Sequence, residues 1–104
     1  MMKRIIRHKY NAQRTEFDGK KFDSKKEAHF YAKLKLAKES GELLFFLRQV
    51  PFDLPGNIKY RADFMCFWED GTVEVIDVKG YMTEMARTKL AMIKDVYNID
   101  VKIV

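Results

Sequence analysis

The chain has 104 residues, of which 47% are apolar and 34% are charged, and its formal net charge is +5. This length suits one domain with one core, so we take residues 1–104 as a single unit. The longest apolar run, Leu43 to Leu47, falls far short of the roughly 18 residues that a membrane span needs, and we expect no signal peptide. A lone Cys66 excludes an internal disulfide, which favours a cytoplasmic protein.

Positive charge is concentrated near the N-terminus, where residues 1–26 carry a net charge of +6 and the remainder carries −1. A basic arm on a near-neutral body suits a polyanionic partner, but it equally suits a solvated tail. We expect residues 1–13 to form an extended or partly disordered arm. The candidate phosphate contacts in this region are Arg4, Arg7, Lys9 and Arg14.

Residues 15–22 are typical of a small hairpin that turns at Asp18-Gly19. We expect Phe17 and Phe22 to anchor this hairpin. Residues 1–23 then form an arm and a hairpin, and residues 24–104 form the core of the domain.

A first helix is predicted from Ser24, its N-cap, to about Glu39. Apolar residues at helical spacing form one stripe, and Glu27 lies on that stripe, directed at the core. Ser24 and Glu27 also fit a capping box, in which the Glu27 carboxylate only accepts a backbone N–H. Both interpretations of Glu27 stay open at this point. The full stripe is Glu27, Phe30, Tyr31, Leu34 and Ala37.

Three strands are predicted next. The first covers residues 42–50 and is ended by Pro51, while the next two, residues 58–68 and 72–79, are joined by a turn at Asp70-Gly71. Three consecutive strands of this kind favour an antiparallel meander.

A second helix is predicted from about Thr83 to Tyr97, and residues 99–104 alternate as a last strand. Since that strand returns through a helix, we expect it to pair in parallel. The order α-β-β-β-α-β predicts an α/β fold with a mixed sheet flanked by helices. The expected buried side of the second helix is Met85, Ala86, Leu90, Ile93 and Tyr97.

Charged residues interrupt the second and third strands. Asp63 lies on the second strand, and Asp77 and Lys79 lie two residues apart on the third, so they share a face. A buried charge is costly unless it is paired or binds a metal, which favours divalent-metal chemistry on phosphodiesters. The alternatives are a surface ion pair between Asp77 and Lys79, and an Asp63 that caps a loop.

Glu27, Asp63 and Asp77-Val78-Lys79 together resemble the PD-(D/E)xK nuclease pattern, with Ala62 in place of the usual proline. The segments GELLFFLRQVPFDL, YRADF and VEVIDVKGY resemble phage endonuclease I type Holliday-junction resolvases. The opening KYNAQRTEFDGKKFDSKKEAHFYAKL is similar to an uncharacterised family of small phage proteins of this type. The resemblance implies a restriction-endonuclease-like core and a phage-infected or prophage-bearing bacterial host.

The resemblance also implies roles for these residues. Asp63, Asp77 and the Val78 carbonyl would hold Mg²⁺, with Mn²⁺ as a substitute, because these ions prefer oxygen ligands. Glu27 would hold a second ion or orient the attacking water, and Lys79 would orient water or stabilise developing negative charge. Gln49, near the end of the first strand, is a supporting candidate.

The expected function is a Mg²⁺-dependent DNA endonuclease that prefers branched DNA. Two cuts at a junction imply a homodimer, and the resemblance allows a swapped N-terminal arm. Two alternatives stay open: a nicking or DNA-processing subunit of a larger complex, and a non-catalytic DNA-binding or assembly protein. Further candidate DNA contacts lie on the two helices, although exposed helix charges usually only interact with solvent. They are Lys25, Lys26, Arg87 and Lys89.

Overall fold

A computed structural model describes residues 14–104, so the predictions for Arg4, Arg7 and Lys9 lie outside the described residues. A hairpin is followed by the order α-β-β-β-α-β, as the sequence predicts. The elements are β1 (Thr15–Phe17), β2 (Lys20–Phe22), α1 (Lys25–Glu39), β3 (Leu43–Leu54), β4 (Ile58–Trp68), β5 (Val73–Asp77), α2 (Glu84–Tyr97) and β6 (Lys102–Ile103). None of the helices in this part of the chain is long and apolar enough to cross a membrane.

The hairpin β1–β2 turns at two consecutive residues in the left-handed region, Asp18 with φ 57° and Gly19 with φ 73°. This is the backbone that a two-residue hairpin loop requires, and Asp-Gly tolerates it. Phe22 is buried, whereas Phe17 is 46% exposed and meets Tyr31 only at a ring edge. The prediction that both phenylalanines anchor the hairpin is confirmed for Phe22 and holds only in part for Phe17, which lies on the same face and contacts Tyr31 but sits next to the turn and stays largely exposed.

Helix α1 begins where Ser24 Oγ accepts the Glu27 N–H at 3.1 Å, which satisfies one of the free amides of the first turn. The helix buries Glu27, Ala28, Tyr31 and Leu34 against the sheet. The predicted placement of Glu27 on the core-facing stripe is confirmed, since the residue is 2% exposed.

The sheet has the order β3-β4-β5-β6, antiparallel except for the parallel pair β5–β6. The meander and the parallel last strand are thus as expected. Strand β3, however, continues through Pro51 to Leu54, so the prediction that Pro51 ends this strand was wrong. β3 is an edge strand of this sheet, and an edge position accommodates a residue without an N–H.

Two other boundaries differ from the prediction. Strand β5 ends at Asp77, so Lys79 lies beyond the strand, where its N–H donates to the Val104 carbonyl at 3.2 Å. Strand β6 covers only Lys102–Ile103, although the alternating pattern begins at residue 99. Ile99 and Val101 pack on the core without joining the ladder, because apolar burial does not require strand pairing.

The core divides into two clusters, and Asp63 lies between them along β4. Phe64 belongs to the cluster that contains α1 residues such as Tyr31. Ala62 belongs to the other cluster, with Ile93 of α2. Asp63 is therefore held at the boundary between the two clusters.

The predicted buried side of α2 is only partly correct. Ile93 is fully buried, but Met85 is 63% exposed and Tyr97 is 40% exposed. This helix packs against the smaller cluster, which cannot cover its full length. Tyr97 instead donates its hydroxyl to the Asp53 carbonyl at 2.7 Å.

Candidate active site

A cavity of about 450 Å³ opens where α1, β4 and the end of β5 meet. Glu27 enters it from the first turn of the helix, Asp63 from the middle of β4, and Asp77 from the last position of β5. All of the sequence-predicted catalytic and metal-binding residues line this single cavity. They are Glu27, Gln49, Asp63, Asp77, Val78 and Lys79.

Asp77 is as fully enclosed as Glu27, at 2% exposed. Its Oδ1 accepts the Asp63 backbone N–H at 3.2 Å, and its Oδ2 accepts the buried Tyr60 hydroxyl and lies 3.1 Å from Lys79 Nζ. The interpretation of Asp77 and Lys79 as a plain surface ion pair was therefore wrong, because the carboxylate is removed from solvent. Burial, and then the hydrogen bond to Asp77, raise the pKa of Tyr60 above its ordinary value, so the hydroxyl remains a donor.

Asp63 links the middle of β4 to the end of β5. Its Oδ2 accepts the Val78 N–H at 2.8 Å, which fixes the chain just after β5. It thus caps a loop, as one interpretation held, and it also faces the cavity. Burial, and then the neighbouring Asp77, raise the pKa of Asp63 to about 7, against the lowering effect of the Val78 N–H. The proton affinity of this site indicates insufficiently compensated negative charge.

Gln49 has φ 54° inside strand β3, in the left-handed region that a residue with a side chain rarely adopts. Its amide donates to Glu27 Oε2 at 3.2 Å and approaches Asp63 Oδ1 at 3.4 Å. Strained backbone of this kind occurs preferentially at functional sites. The strain at Gln49 accompanies a side chain that bridges two of the candidate carboxylates.

Glu27 has partners on two sides. Oε1 accepts the Asp23 backbone N–H at 3.3 Å, and Oε2 faces Gln49 and lies 3.9 Å from Arg48. One oxygen of Glu27 therefore accepts a backbone N–H at the helix start, as the capping interpretation expects, and the other faces Gln49 in the cavity. Burial raises the pKa of Glu27, as expected for a carboxylate withdrawn from water.

Sequence reasoning missed three residues around this cavity: Tyr60, Arg48 and Arg61. Tyr60 donates to Asp77, Arg48 approaches Glu27, and Arg61 lines the cavity. The signal for Tyr60 was its place in the alternating run Tyr60-Arg61-Ala62, because a buried tyrosine hydroxyl needs a partner. No comparable signal marked the two arginines.

The predicted DNA contacts are dispersed. Arg14 borders a second cavity beside the first, and Lys26 Nζ donates to the Lys79 carbonyl at 3.0 Å, next to the site. Lys25 and Arg87 are exposed, and Lys89 Nζ donates to the Lys59 carbonyl at 3.3 Å. Among the described residues, none of these four, Arg14, Lys25, Arg87 and Lys89, lines the candidate active site.

Within residues 14–104, no group of three or more His, Cys, Asp or Glu side chains is arranged to hold a metal ion. The amide of Gln49 and backbone N–H groups occupy positions among the three carboxylates. The donor chemistry nevertheless fits a hard divalent ion, because carboxylates and the Val78 carbonyl supply only oxygen. Burial raises the pKa of Asp63 and of Glu27, so the ionised forms of both carboxylates are disfavoured without a compensating partner.

The fold and this cavity define a small α/β protein with a buried carboxylate cluster at a strand end. The chain belongs to the DUF1064 family, described as proteins of unknown function, whose family model matches residues 7–104. Neither a search of curated proteins nor a search of solved structures returned a match.

Proposed function

We propose that this protein is a Mg²⁺-dependent DNA endonuclease of the PD-(D/E)xK type, with a restriction-endonuclease-like core. The observation that carries the proposal is the convergence of Glu27, Asp63, Asp77 and Lys79 on one cavity, from three separate elements. Phosphodiester hydrolysis needs oxygen ligands for a divalent ion and a cation near the developing charge, and this set supplies both.

Each residue has a role that its contacts support. Asp63, Asp77 and the Val78 carbonyl would hold the ion, which when bound acidifies water and offsets phosphate charge. Lys79, 3.1 Å from Asp77, orients the attacking water or stabilises the negative charge that develops on the phosphate. Glu27 orients the same water or holds a second ion.

Two further residues support these groups. Gln49 holds the carboxylates of Glu27 and Asp63 in fixed positions through its amide, and Tyr60 does the same for Asp77 through its hydroxyl. Both are positioning residues in this proposal, because they act through the carboxylates.

Branched DNA is the proposed substrate, and a homodimer the proposed assembly, on the strength of the sequence resemblance to junction resolvases. A pair of active sites related by a two-fold axis can cut two strands of one junction. Exposed apolar residues on β3 and β5, among them Leu44, Leu47 and Val73, offer a surface for self-association. We propose that the protein acts in the cytoplasm of a phage-infected or prophage-bearing bacterium.

The test is cleavage of a four-way junction, a flap and a linear duplex, each with Mg²⁺, with Mn²⁺ and with a chelator. We expect metal-dependent cleavage with preference for the junction. Asp77→Asn and Lys79→Met should abolish cleavage and keep DNA binding. The matched control is the exposed pair Asp53 and Lys59, which lies outside the cavity, so Asp53→Asn and Lys59→Met should retain full activity.

The alternatives predict different results. Cleavage of one strand only, or of duplex ends, indicates a nicking or processing nuclease. DNA binding without cleavage in either metal indicates a non-catalytic DNA-binding or assembly protein. One observation favours that last outcome: all three carboxylates already accept hydrogen bonds from the protein itself.

A further inference from the structure

A second cavity, of about 380 Å³, abuts the candidate active site and has the opposite charge. Asp23, Glu27, Gln49 and Arg61 line both cavities. Four cationic side chains and two acidic ones line the second cavity, whereas four acidic and two cationic ones line the first. We name this second space the basic cavity. Its cations are Arg14, Lys21, Arg48 and Arg61.

Arg48 is held rigidly in the wall of the basic cavity. Its guanidinium lies 4.4 Å from the ring centroid of Phe22, and one amino group donates to the Lys21 carbonyl at 3.2 Å. The same amino group is 3.9 Å from Glu27 Oε2, so Arg48 contacts a candidate catalytic carboxylate. Its Nε is buried with no hydrogen-bond partner among the described residues, which is an uncommon state in native proteins.

Arg61 is different, because it is exposed and its side chain has no hydrogen bond or ion pair to another described residue. It lies on β4 opposite Pro51 and two residues before Asp63, and it lines both cavities. A guanidinium without an internal partner, placed at the junction of an acidic and a basic cavity, is available to an anionic ligand.

Arginine binds phosphate with two parallel N–H donors, and this planar geometry is why it is common at phosphate sites. We propose that the basic cavity binds a phosphate of the nucleic-acid backbone, adjacent to the phosphate that reacts in the carboxylate cavity. Arg61 contacts that neighbouring phosphate, and Arg48 fixes both the cavity wall and Glu27. The adjacency to a reacting phosphate rests on the proposed function, whereas phosphate binding in this cavity does not.

The test measures DNA affinity as a function of salt, in a chelator and without divalent metal, so that no cleavage is needed. Each phosphate contact with a cation contributes about 0.9 to the slope of log affinity against log salt for duplex DNA. We expect Arg61→Ala to reduce this slope by about one and to weaken binding roughly tenfold at low salt. Fluorescence anisotropy with a labelled duplex and a labelled four-way junction provides both quantities.

Two variants make the experiment specific. Lys38→Ala removes an exposed cation from the opposite end of α1, outside the residues that line either cavity, and should leave slope and affinity unchanged. Arg48→Lys keeps the positive charge of Arg48 but removes the paired N–H donors of the guanidinium. It disturbs the packing less than Arg48→Ala would. It should weaken binding less than Arg61→Ala does, with the slope retained.

An unchanged slope in Arg61→Ala, or a wild-type protein that binds neither DNA, overturns the proposal. A reduced slope without any cleavage in Mg²⁺ upholds the phosphate site and overturns the nuclease assignment instead. If Asp77→Asn loses cleavage while Arg61→Ala keeps the wild-type salt slope, the nuclease proposal is supported and the phosphate site in the basic cavity is refuted.

Discussion

Two acidic cavities lie at opposite ends of strand β5, and four acidic residues line each of them. At the Val73 end, next to the β4–β5 turn, Glu69 and Asp70 are exposed, and Asp70 accepts two hydrogen bonds from Thr72. At the Asp77 end, Glu27 and Asp77 are buried. The two cavities have the same number of carboxylates, but they differ in how far the carboxylates are exposed to solvent and in how closely the carboxylates approach one another.

The pKa directions express this difference. Hydrogen bonds from Thr72 hold the pKa of Asp70 below its usual range, whereas burial raises the pKa of Asp63 to about 7. Asp70 is stabilised as an anion by its surroundings, whereas burial disfavours the ionised forms of Asp63 and Glu27. Counting acids in a sequence or a cavity therefore does not identify a metal site, and burial among like charges is the more informative property.

The largest expected difference between the two cavities is in catalysis. Glu27→Gln should lower the rate of Mg²⁺-dependent DNA cleavage by about 100-fold or more, because the variant loses a charge that acts on the attacking water or an ion. Glu69→Gln, in the turn cavity, should stay within about twofold of wild type. Single-turnover cleavage of a four-way junction measures both. Equal losses in the two variants would contradict the comparison.

The pH dependence of stability should have opposite signs at the two cavities. Asp63 and Glu27 have pKa values above their unfolded values, so they stabilise the fold below about pH 4, and that contribution is lost as pH rises toward 7. The slope is at most about 1.4 kcal/mol per pH unit for one group. Asp70 has a lowered pKa, so its contribution is present above about pH 4 and is lost as pH falls.

Urea denaturation from pH 3 to pH 8 checks these signs. Asp63→Asn should flatten the limb between pH 4 and pH 7, and Asp70→Asn should change only the limb below pH 4. A wild-type stability that rises steadily from pH 4 to pH 7, with Asp63→Asn rising in parallel, would refute the assignment to Asp63.

Divalent ions should stabilise the fold through the buried cavity alone. With 10 mM Mg²⁺ and a dissociation constant of about 1 mM, the expected gain is about 1.4 kcal/mol, or an unfolding temperature higher by about 5–10 °C. The effect should be largest at pH 8, where Asp63 is ionised. Calorimetry should find it lost in Asp63→Asn and kept in Asp70→Asn, and an equal gain in both variants would indicate only general ion binding.

The smallest expected difference concerns the hydroxyl groups that contact one carboxylate in each cavity. Tyr60→Phe removes the buried donor to Asp77 and should lower the free energy of unfolding by about 1 kcal/mol. Thr72→Val removes the exposed donor to Asp70, 2.7 Å away, and should cost less, because water replaces the hydroxyl. Matched denaturant titrations of the two variants measure this, and a larger loss in Thr72→Val would reverse the comparison.

Much of the scaffold follows from local sequence signals. Ser24 and Thr83 were recognisable as helix caps, Asp18-Gly19 as a hairpin turn, and Glu27 as a charged residue on an apolar stripe. These features depend on neighbours within a few residues, which a sequence displays directly. Pro51 misled the prediction of β3, because whether a strand lies at an edge depends on the arrangement of the whole sheet.

The candidate site was only partly predictable for the same reason. Asp63, Asp77 and Lys79 stand out as charges among apolar residues, but the partners that hold them do not. The contact of Tyr60 with Asp77 spans two strands, and the left-handed backbone of Gln49 has no local signature such as a glycine. Arg48 and Arg61 resemble ordinary surface cations until the fold places them beside Glu27 and the carboxylate cavity.

The proline at position 51 has a consequence for assembly. Among the described strands β3 pairs only with β4, so its outer side presents backbone groups to which a strand of another molecule can bind. Pro51 offers no N–H, and proline in an edge strand discourages continuous pairing there. Edge-to-edge pairing of sheets from two molecules through the portion of β3 opposite Arg61 is thereby disfavoured.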